Sequence, residues 1–210
     1  MTTFIRDDKL AVQPEAGFGA KIETSGAYVG RFTLAKERIA RTGTIGIEFS
    51  FEADDGQMAR YLTLWVARAS GEKIEYPYGL LSALMVCLDV DRVDTTPATV
   101  DEWDQSVGAR VPTRVDAYAA LMNKPIGIVL QREERVWEGK TYVSMKIVEF
   151  FAPEDRRTPA EILADTHAAQ ALGKLVANLR EKIVRTDAPP VNAEGGPATG
   201  GVFIEDDIPF

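Results

Sequence analysis

Alternation of apolar and polar residues is the clearest pattern in the N-terminal half of the chain. In residues 44–53, "TIGIEFSFEA", every second position carries a branched or aromatic apolar side chain; these are Ile45, Ile47, Phe49 and Phe51. Successive side chains of a β-strand point to opposite faces, so the pattern predicts a strand with one buried face and one wet face. Residues 27–36, "AYVGRFTLAK", are predicted to form the strand before it.

A third strand is predicted after the Asp54-Asp55-Gly56 sequence. Asp-Gly supplies the positive φ angles of a tight hairpin turn, and residues 59–68, "ARYLTLWVAR", follow it. Large side chains occupy both faces of this strand. If the aliphatic face is in the core, Tyr61 and Trp65 lie on the opposite face.

The middle of the chain predicts a helix and a second hairpin. Residues 78–90, "YGLLSALMVCLDV", are typical of a short buried helix, and residues 91–124 look irregular, with a short helix at 115–122. Residues 124–134 and 141–152 then form two strands joined by the loop "RVWEGK". Three strands, a helix and two strands is the element order of an OB-fold. We therefore predict a mainly β protein whose residues 1–157 form a five-stranded OB-fold barrel.

A C-terminal helix and a tail are predicted after the barrel. Thr158, Pro159 and Glu161 have the spacing of a capping box with proline in the first turn, and an apolar stripe continues to about residue 185. We expect one amphipathic helix over residues 158–186. Residues 187–202 are rich in glycine and proline and predict a flexible linker, and residues 203–210 form an acidic tip.

Composition restricts the class of function. The chain has 210 residues with one cysteine, Cys87, in an apolar run, and one histidine, His167. No spacing indicates a zinc site, a calcium loop or an activated nucleophile, so we expect no catalytic residue, no metal and no cofactor. A metal-dependent nuclease built on the carboxylates of "EADD" or "DVDRVD" is the enzyme alternative. Without a signal peptide or a membrane span, a cytoplasmic protein is expected, in the host cytoplasm if the gene belongs to a phage.

Charge is distributed unevenly along the chain. The net charge is −8, yet five of the 32 acidic residues lie beyond Arg185, where there is no Lys or Arg. The rest of the chain is closer to neutrality and can carry a local basic groove, so the acidic total does not exclude a nucleic-acid partner.

The sequence ends in "EDDIPF", which has the chemistry of a peptide ligand. Phe210 offers a ring for a pocket, Pro209 limits the conformations lost on binding, and Asp206 and Asp207 suit a basic rim; Ile208 lies between. The ending closely resembles the C-terminal tip of bacterial single-stranded DNA-binding proteins. That resemblance implies docking of the tip onto replication, recombination and repair proteins, with Pro209 and Phe210 as anchors.

The body resembles a different branch of the same functional class. The stretches "GAYVGRFTLAKE", "GIEFSFEADDG" and "KPIGIVLQRE" are similar to phage-encoded single-stranded DNA-binding proteins with an elaborated OB barrel. An OB barrel binds single strands along one face, flanked by the loops between its strands 1–2 and 4–5.

Basic and aromatic residues occupy the positions where such a groove would lie. We expect Tyr61, Trp65 and Trp137 to stack on bases, with Tyr142 on the same face. The residues expected to contact phosphates are Arg31, Lys36, Arg38, Arg41, Arg135, Lys140 and Lys146. Stacking tolerates any base, so binding should be independent of sequence.

These observations lead us to expect a noncatalytic protein that coats single-stranded DNA and recruits partners through its tip. The alternative is an interaction protein without a DNA groove that uses the tip to occupy host repair or replication factors. The C-terminal helix is either the interface of a homodimer or a lid over the barrel. We expect no association with membranes.

Overall fold

The computed structural model describes residues 20–104, 106–137 and 140–185. The eight strands in this part are β1 Gly26–Ile39, β2 Ile45–Ala53, β3 Met58–Ala67, β4 Thr96–Asp104, β5 Ala109–Ala117, β6 Pro125–Trp137, β7 Lys140–Phe151 and β8 Lys182–Arg185. The helices are α1 Glu75–Cys87, α2 Pro159–Leu163 and α3 Ala171–Asn178, with a 3-10 turn at Ala119–Leu121. Residues 187–210, which comprise the predicted linker 187–202 and the predicted tip 203–210, lie outside the described part.

Strand β1 is the centre of the sheet. It pairs with β2 along most of its length, and its other edge is shared by β6, next to residues 26–31, and β5, next to Lys36. Strand β7 pairs with β6, and β3 pairs with β2. The prediction of a mainly β protein is therefore confirmed, and the sheet is mainly antiparallel with few helices around it.

The sheet is not a closed barrel. All five predicted strands are present as β1, β2, β3, β6 and β7, and β3 and β7 approach each other at the two ends of this order. Within the described residues, however, no hydrogen-bonded pairing joins β3 to β7. Tyr61 has a left-handed backbone conformation with φ 59, next to a register shift on β3, and this irregularity lies where the two strands face each other.

The hydrophobic core contains apolar side chains that the alternating sequence pattern predicted to be buried. Phe32 is fully buried, and its ring centroid lies 4.6 Å from that of Phe49 and 6.2 Å from that of Phe150. The predicted inward face of β3 is buried at Leu62, Leu64 and Val66. Helix α1 closes this core with three buried leucines; these are Leu80, Leu81 and Leu84.

The prediction of one helix over residues 158–186 is wrong. The capping box is present, since the Glu161 carboxylate accepts hydrogen bonds from the Thr158 N–H and Oγ1. The helix nevertheless ends at Leu163, and the other Glu161 oxygen accepts the backbone N–H groups of Gln170 and Ala171 at the start of α3. One carboxylate thus accepts hydrogen bonds from backbone N–H groups at the N-termini of both α2 and α3.

The apolar stripe of this region packs on the opposite face of the sheet from the core. Leu172 of α3 is buried against Val129 and Phe151, and three further residues of the stripe pack on the same cluster; these are Leu175, Val176 and Leu179. Residues 182–185 are not helical but form β8, which pairs in parallel with β6. The predicted stripe residue Ile183 is exposed there.

Residues 91–124 are more regular than the sequence suggests. Strands β4 and β5 form a hairpin from Thr96 to Ala117, and the predicted short helix at 115–122 is only the 3-10 turn. Pro97 and Pro112 argue against strands in the sequence, but the hairpin lies at the edge of the sheet, where a missing N–H is tolerated. Among the described residues, no helix has the length and apolar character needed to cross a membrane.

Candidate nucleic-acid interface

The basic residues that were expected to flank the groove lie mostly in strands and not in loops. Lys36 and Arg38 lie in β1, and Arg41 lies in the turn that follows it. Arg135 and Trp137 belong to the end of β6, while Lys140 begins β7. The backbone positions of these side chains are therefore fixed by strand pairing, with Arg41 as the exception.

Strands β1, β2 and β3 bring a first group of predicted residues together. Lys36 and Arg38 both form ion pairs with Glu48 of β2; the Lys36 Nζ lies 3.2 Å from the Glu48 Oε1. The Arg38 guanidinium lies 5.8 Å from the ring centroid of Trp65 on β3, within the range of a cation–π contact. We call Lys36, Arg38, Glu48, Trp65 and Glu102 the Glu48 cluster.

Glu102 reaches this cluster from the β4–β5 hairpin and forms an ion pair with Lys36. Burial lowers the pKa of Lys36, but the carboxylates of Glu102 and Glu48 outweigh that effect, so the net pKa is raised and the ammonium stays charged. With two cations and two carboxylates, the Glu48 cluster is close to neutral.

A second group lies on β6, β7 and β8. The Glu133 carboxylate has only 4% of its side chain exposed; the Arg135 Nε lies 2.9 Å from one of its oxygens, and the Lys182 Nζ lies 3.3 Å from the other. Lys146 of β7 adds electrostatic attraction. We call these four residues the Glu133 cluster. It holds three cations around one carboxylate and is therefore positive.

The charge state of Glu133 follows from its neighbours. Burial alone raises the pKa of this carboxyl group, but Arg135, Lys146 and Lys182 outweigh it and hold the pKa below its usual value. Glu133 is thus a carboxylate at neutral pH, and it can fix the direction of the Arg135 and Lys182 side chains.

The aromatic side chains lie beside these clusters. Trp65 is half-buried and packs over Gly46, where a Cβ would lie 2.7 Å from the indole ring. Tyr142 is the cross-strand partner of Arg135, and Trp137 is that of Lys140. These pairings place an aromatic residue next to a cation twice on the β6–β7 hairpin, as Arg38 and Trp65 are neighbours on β1 and β3.

A crevice separates β3 from β7. Tyr61 lines it, together with Val143, Ser144 and Met145 from the facing strand. Met145 and Ile147 are buried, and Lys146 between them is exposed. The crevice therefore brings Tyr61 close to the strand that carries Tyr142 and Lys146.

Arg31 is not brought to either cluster. Its guanidinium lies 3.0 Å from Glu52, its direct partner on β2, near the acidic turn between β2 and β3. The side chain is more than half exposed, so this ion pair contributes little to stability.

Sequence reasoning missed the carboxylates and one cation. Glu48 could have been found, because it occupies the wet face of the second predicted strand beside Lys36. Nothing in the sequence pointed to Glu102, whose segment looked irregular, or to Lys182, which was assigned to a helix. The partner-binding residues Asp206, Asp207, Ile208, Pro209 and Phe210 lie outside the described part.

Residues 20–104, 106–137 and 140–185 give no indication of a metal centre. No group of three or more His, Cys, Asp or Glu side chains in the described part is arranged to hold a metal ion. A comparison with protein-family models finds none that matches the chain, and a comparison with curated proteins finds no significant match. The functional argument therefore depends on the geometry of the two clusters and on the sequence.

Proposed function

We propose that the protein binds single-stranded DNA without sequence preference, as a noncatalytic coat that protects exposed strands. The observation that carries the proposal is the pairing of cations with aromatic rings at strand positions on both sides of the β3–β7 crevice. Trp65 lies beside Arg38, and Tyr142 lies beside Arg135. Cations for phosphates and rings for bases are the two elements that nonspecific single-strand binding requires.

The finer fold assignment belongs to this proposal. We interpret β1, β2, β3, β6 and β7 as an OB-type sheet in which the crevice replaces the pairing that would close the barrel. The order β3-β2-β1-β6-β7 and the antiparallel pairings support this interpretation. The turn after β1 and the turn after β6 then flank the groove, as the strand 1–2 and 4–5 loops do in an OB-fold.

The basic side chains are held ready for phosphates by buried carboxylates. In the Glu133 cluster the excess of cations supplies the attraction, and the nearly neutral Glu48 cluster supplies pre-positioned donors. Lys140, which is exposed, and Arg41 extend this set at the two turns. We propose that the tip, through Pro209 and Phe210, recruits replication, recombination and repair proteins to the coated strand.

The test is fluorescence anisotropy of a labelled oligothymidine with the protein truncated after residue 202, at several salt concentrations. We expect binding that prefers the single strand to a duplex and weakens log-linearly with salt, with a slope of about 0.7 per phosphate neutralised. The double variant Arg135→Gln/Lys146→Gln should bind more weakly and with a smaller slope. Arg92→Gln is the matched control, because Arg92 is exposed and pairs with Asp94 away from both clusters.

The rival is an interaction protein that uses the tip without a DNA groove. The near-neutrality of the Glu48 cluster favours it, because cations already paired with carboxylates give less attraction to phosphates. Absence of binding to oligothymidine at low salt would overturn our proposal and support the rival. The rival would then require that the full chain, and not the chain ending at residue 202, captures a host repair or replication protein.

A further inference from the structure

The β4–β5 hairpin bends over the outer face of the sheet. Its base lies beside β1, where Ala117 pairs with Lys36 and Thr96 pairs with Ala117. From Thr96 to Glu102 an extended strand covers about 20 Å, which is too far for a straight hairpin to bring Glu102 back to Lys36. The two side chains nevertheless form an ion pair, so the hairpin curves back toward the Glu48 cluster.

The two faces of the hairpin differ in exposure. Half-buried residues share the face that carries Glu102; they are Ala98, Val100, Val111, Thr113 and Val115. The alternate residues, Thr99, Pro112, Arg114 and Asp116, are exposed on the other face. A two-stranded ribbon is at best marginally stable alone, and the half-buried face is the one turned toward the sheet.

Lys36 is held from two directions. Glu48 belongs to the sheet and is almost fully buried, whereas Glu102 belongs to the hairpin and keeps 30% of its side chain exposed. If the Glu102 carboxylate moves away, Lys36 remains positioned by Glu48. Its ammonium group can then contact another anion on the side that Glu102 occupied. A phosphate oxygen has the charge and acceptor geometry to take that place.

We propose that the β4–β5 hairpin is the outer wall of the DNA groove, and that Lys36 exchanges Glu102 for a phosphate when a single strand enters between hairpin and sheet. This inference rests on the proposed function and adds to it a contact surface, formed by Val100, Val111 and Thr113. These short side chains suit contact with sugars and bases of any sequence.

Two pairs of variants test the proposal with the oligothymidine assay on the full chain. Glu102→Gln removes the carboxylate that competes with phosphate for Lys36. Affinity for the oligonucleotide at low salt should rise roughly two- to fivefold, the factor that corresponds to the free energy of a partly exposed ion pair. Its salt slope should increase by up to about 0.7, because in the wild type the carboxylate released from Lys36 takes up a cation and offsets part of the counterion release, whereas the glutamine does not. Asp116→Asn removes the same charge from the outer face of the hairpin and should change neither quantity.

The second pair tests the wall itself. Thr113→Glu places a negative charge on the inner face and should weaken binding roughly threefold, as expected for a carboxylate about 7 Å from a phosphate in water. Thr99→Glu makes the same change on the outer face and should have little effect. Circular dichroism of all four variants establishes that they are folded.

The outcomes separate this inference from the proposed function. If the wild-type chain binds the oligonucleotide but both members of each pair behave alike, the hairpin is no wall and the DNA-binding proposal stands. If the wild-type chain does not bind at low salt, the proposed function and the inference both fail. A rise for Glu102→Gln with a loss for Thr113→Glu supports the wall and the exchange at Lys36.

Discussion

The ring of Phe151 lies directly against Gly127, its cross-strand partner. A Cβ on Gly127 would lie 2.2 Å from the Phe151 Cε2, and Phe151 is fully buried between the sheet and α3. Only glycine fits this position without displacing the ring. The contact fixes the distance at which the C-terminal region packs on the sheet.

We therefore expect Gly127→Ala to destabilise the protein by about 1–3 kcal/mol through overpacking. The measurement is urea unfolding followed by circular dichroism. Gly79→Ala in α1 is the control, because a Cβ there meets nothing within 4 Å and a helical alanine should stabilise by roughly 0.5–1 kcal/mol. Equal effects of the two substitutions would contradict this account.

The double role of Glu161 predicts a pH dependence of stability. Hydrogen bonds from the Thr158, Ala171 and Gln170 backbone N–H groups lower the pKa of this carboxyl group to about 2. Since the folded-state pKa lies below that of the unfolded chain, the stabilisation is full above the ordinary glutamate pKa and is lost as the pH falls toward 2. The difference in unfolding free energy between the wild type and Glu161→Gln should be largest at neutral pH and shrink through this window. A difference that does not depend on pH would refute the assignment.

Trp137 offers the cleanest test of stacking. Trp65 packs over Gly46, so its loss would also disturb the sheet, whereas Trp137 lies at the end of β6. Trp137→Ala should lower affinity for oligothymidine by about 1–3 kcal/mol, and Trp137→Phe should retain most of it. The salt slope should stay unchanged, because a ring releases no counterions. Unaltered affinity in the alanine variant would remove Trp137 from the interface.

The buried Glu133 carboxylate should matter for stability. Glu133→Gln leaves Arg135, Lys146 and Lys182 close together without their counter-charge, so we expect a loss of about 1–3 kcal/mol. Glu134→Gln is the matched control, since the Glu134 side chain is 23% exposed, against 4% for Glu133, and its ion pair with Arg132 should cost less than about 1 kcal/mol to remove. Chemical unfolding of both variants at neutral pH gives the comparison. A larger loss for the control would show that Glu133 does not organise its cluster.

Short-range patterns predicted the five strands β1, β2, β3, β6 and β7, but not β4, β5 or β8. The alternation over residues 44–53 and 59–68 gave the buried faces of β2 and β3, and the capping box located the start of α2. Each of these depends on side chains within a few positions of one another, which the sequence displays directly.

The elements and ion pairs that the sequence did not predict depend on contacts between residues far apart in the chain. The apolar stripe after Thr158 has helical spacing, but the parallel pairing of residues 182–185 with β6 outweighs helix propensity there. The ion partners of Lys36 and Arg135 are set by which strands become neighbours. Glu102 meets Lys36 across 66 positions of the chain, and no local pattern reveals such a contact.

The central position of β1 has a consequence for synthesis of the protein. The first residue of this strand, Gly26, pairs with Leu130, so one edge of β1 stays unpaired until β6 has been translated. At elongation rates of roughly 5–20 residues per second, that delay is on the order of 5–20 s. During this time the nascent chain exposes the unpaired edge of β1 next to residues 26–31, which makes β1 the segment where a chaperone would most usefully act.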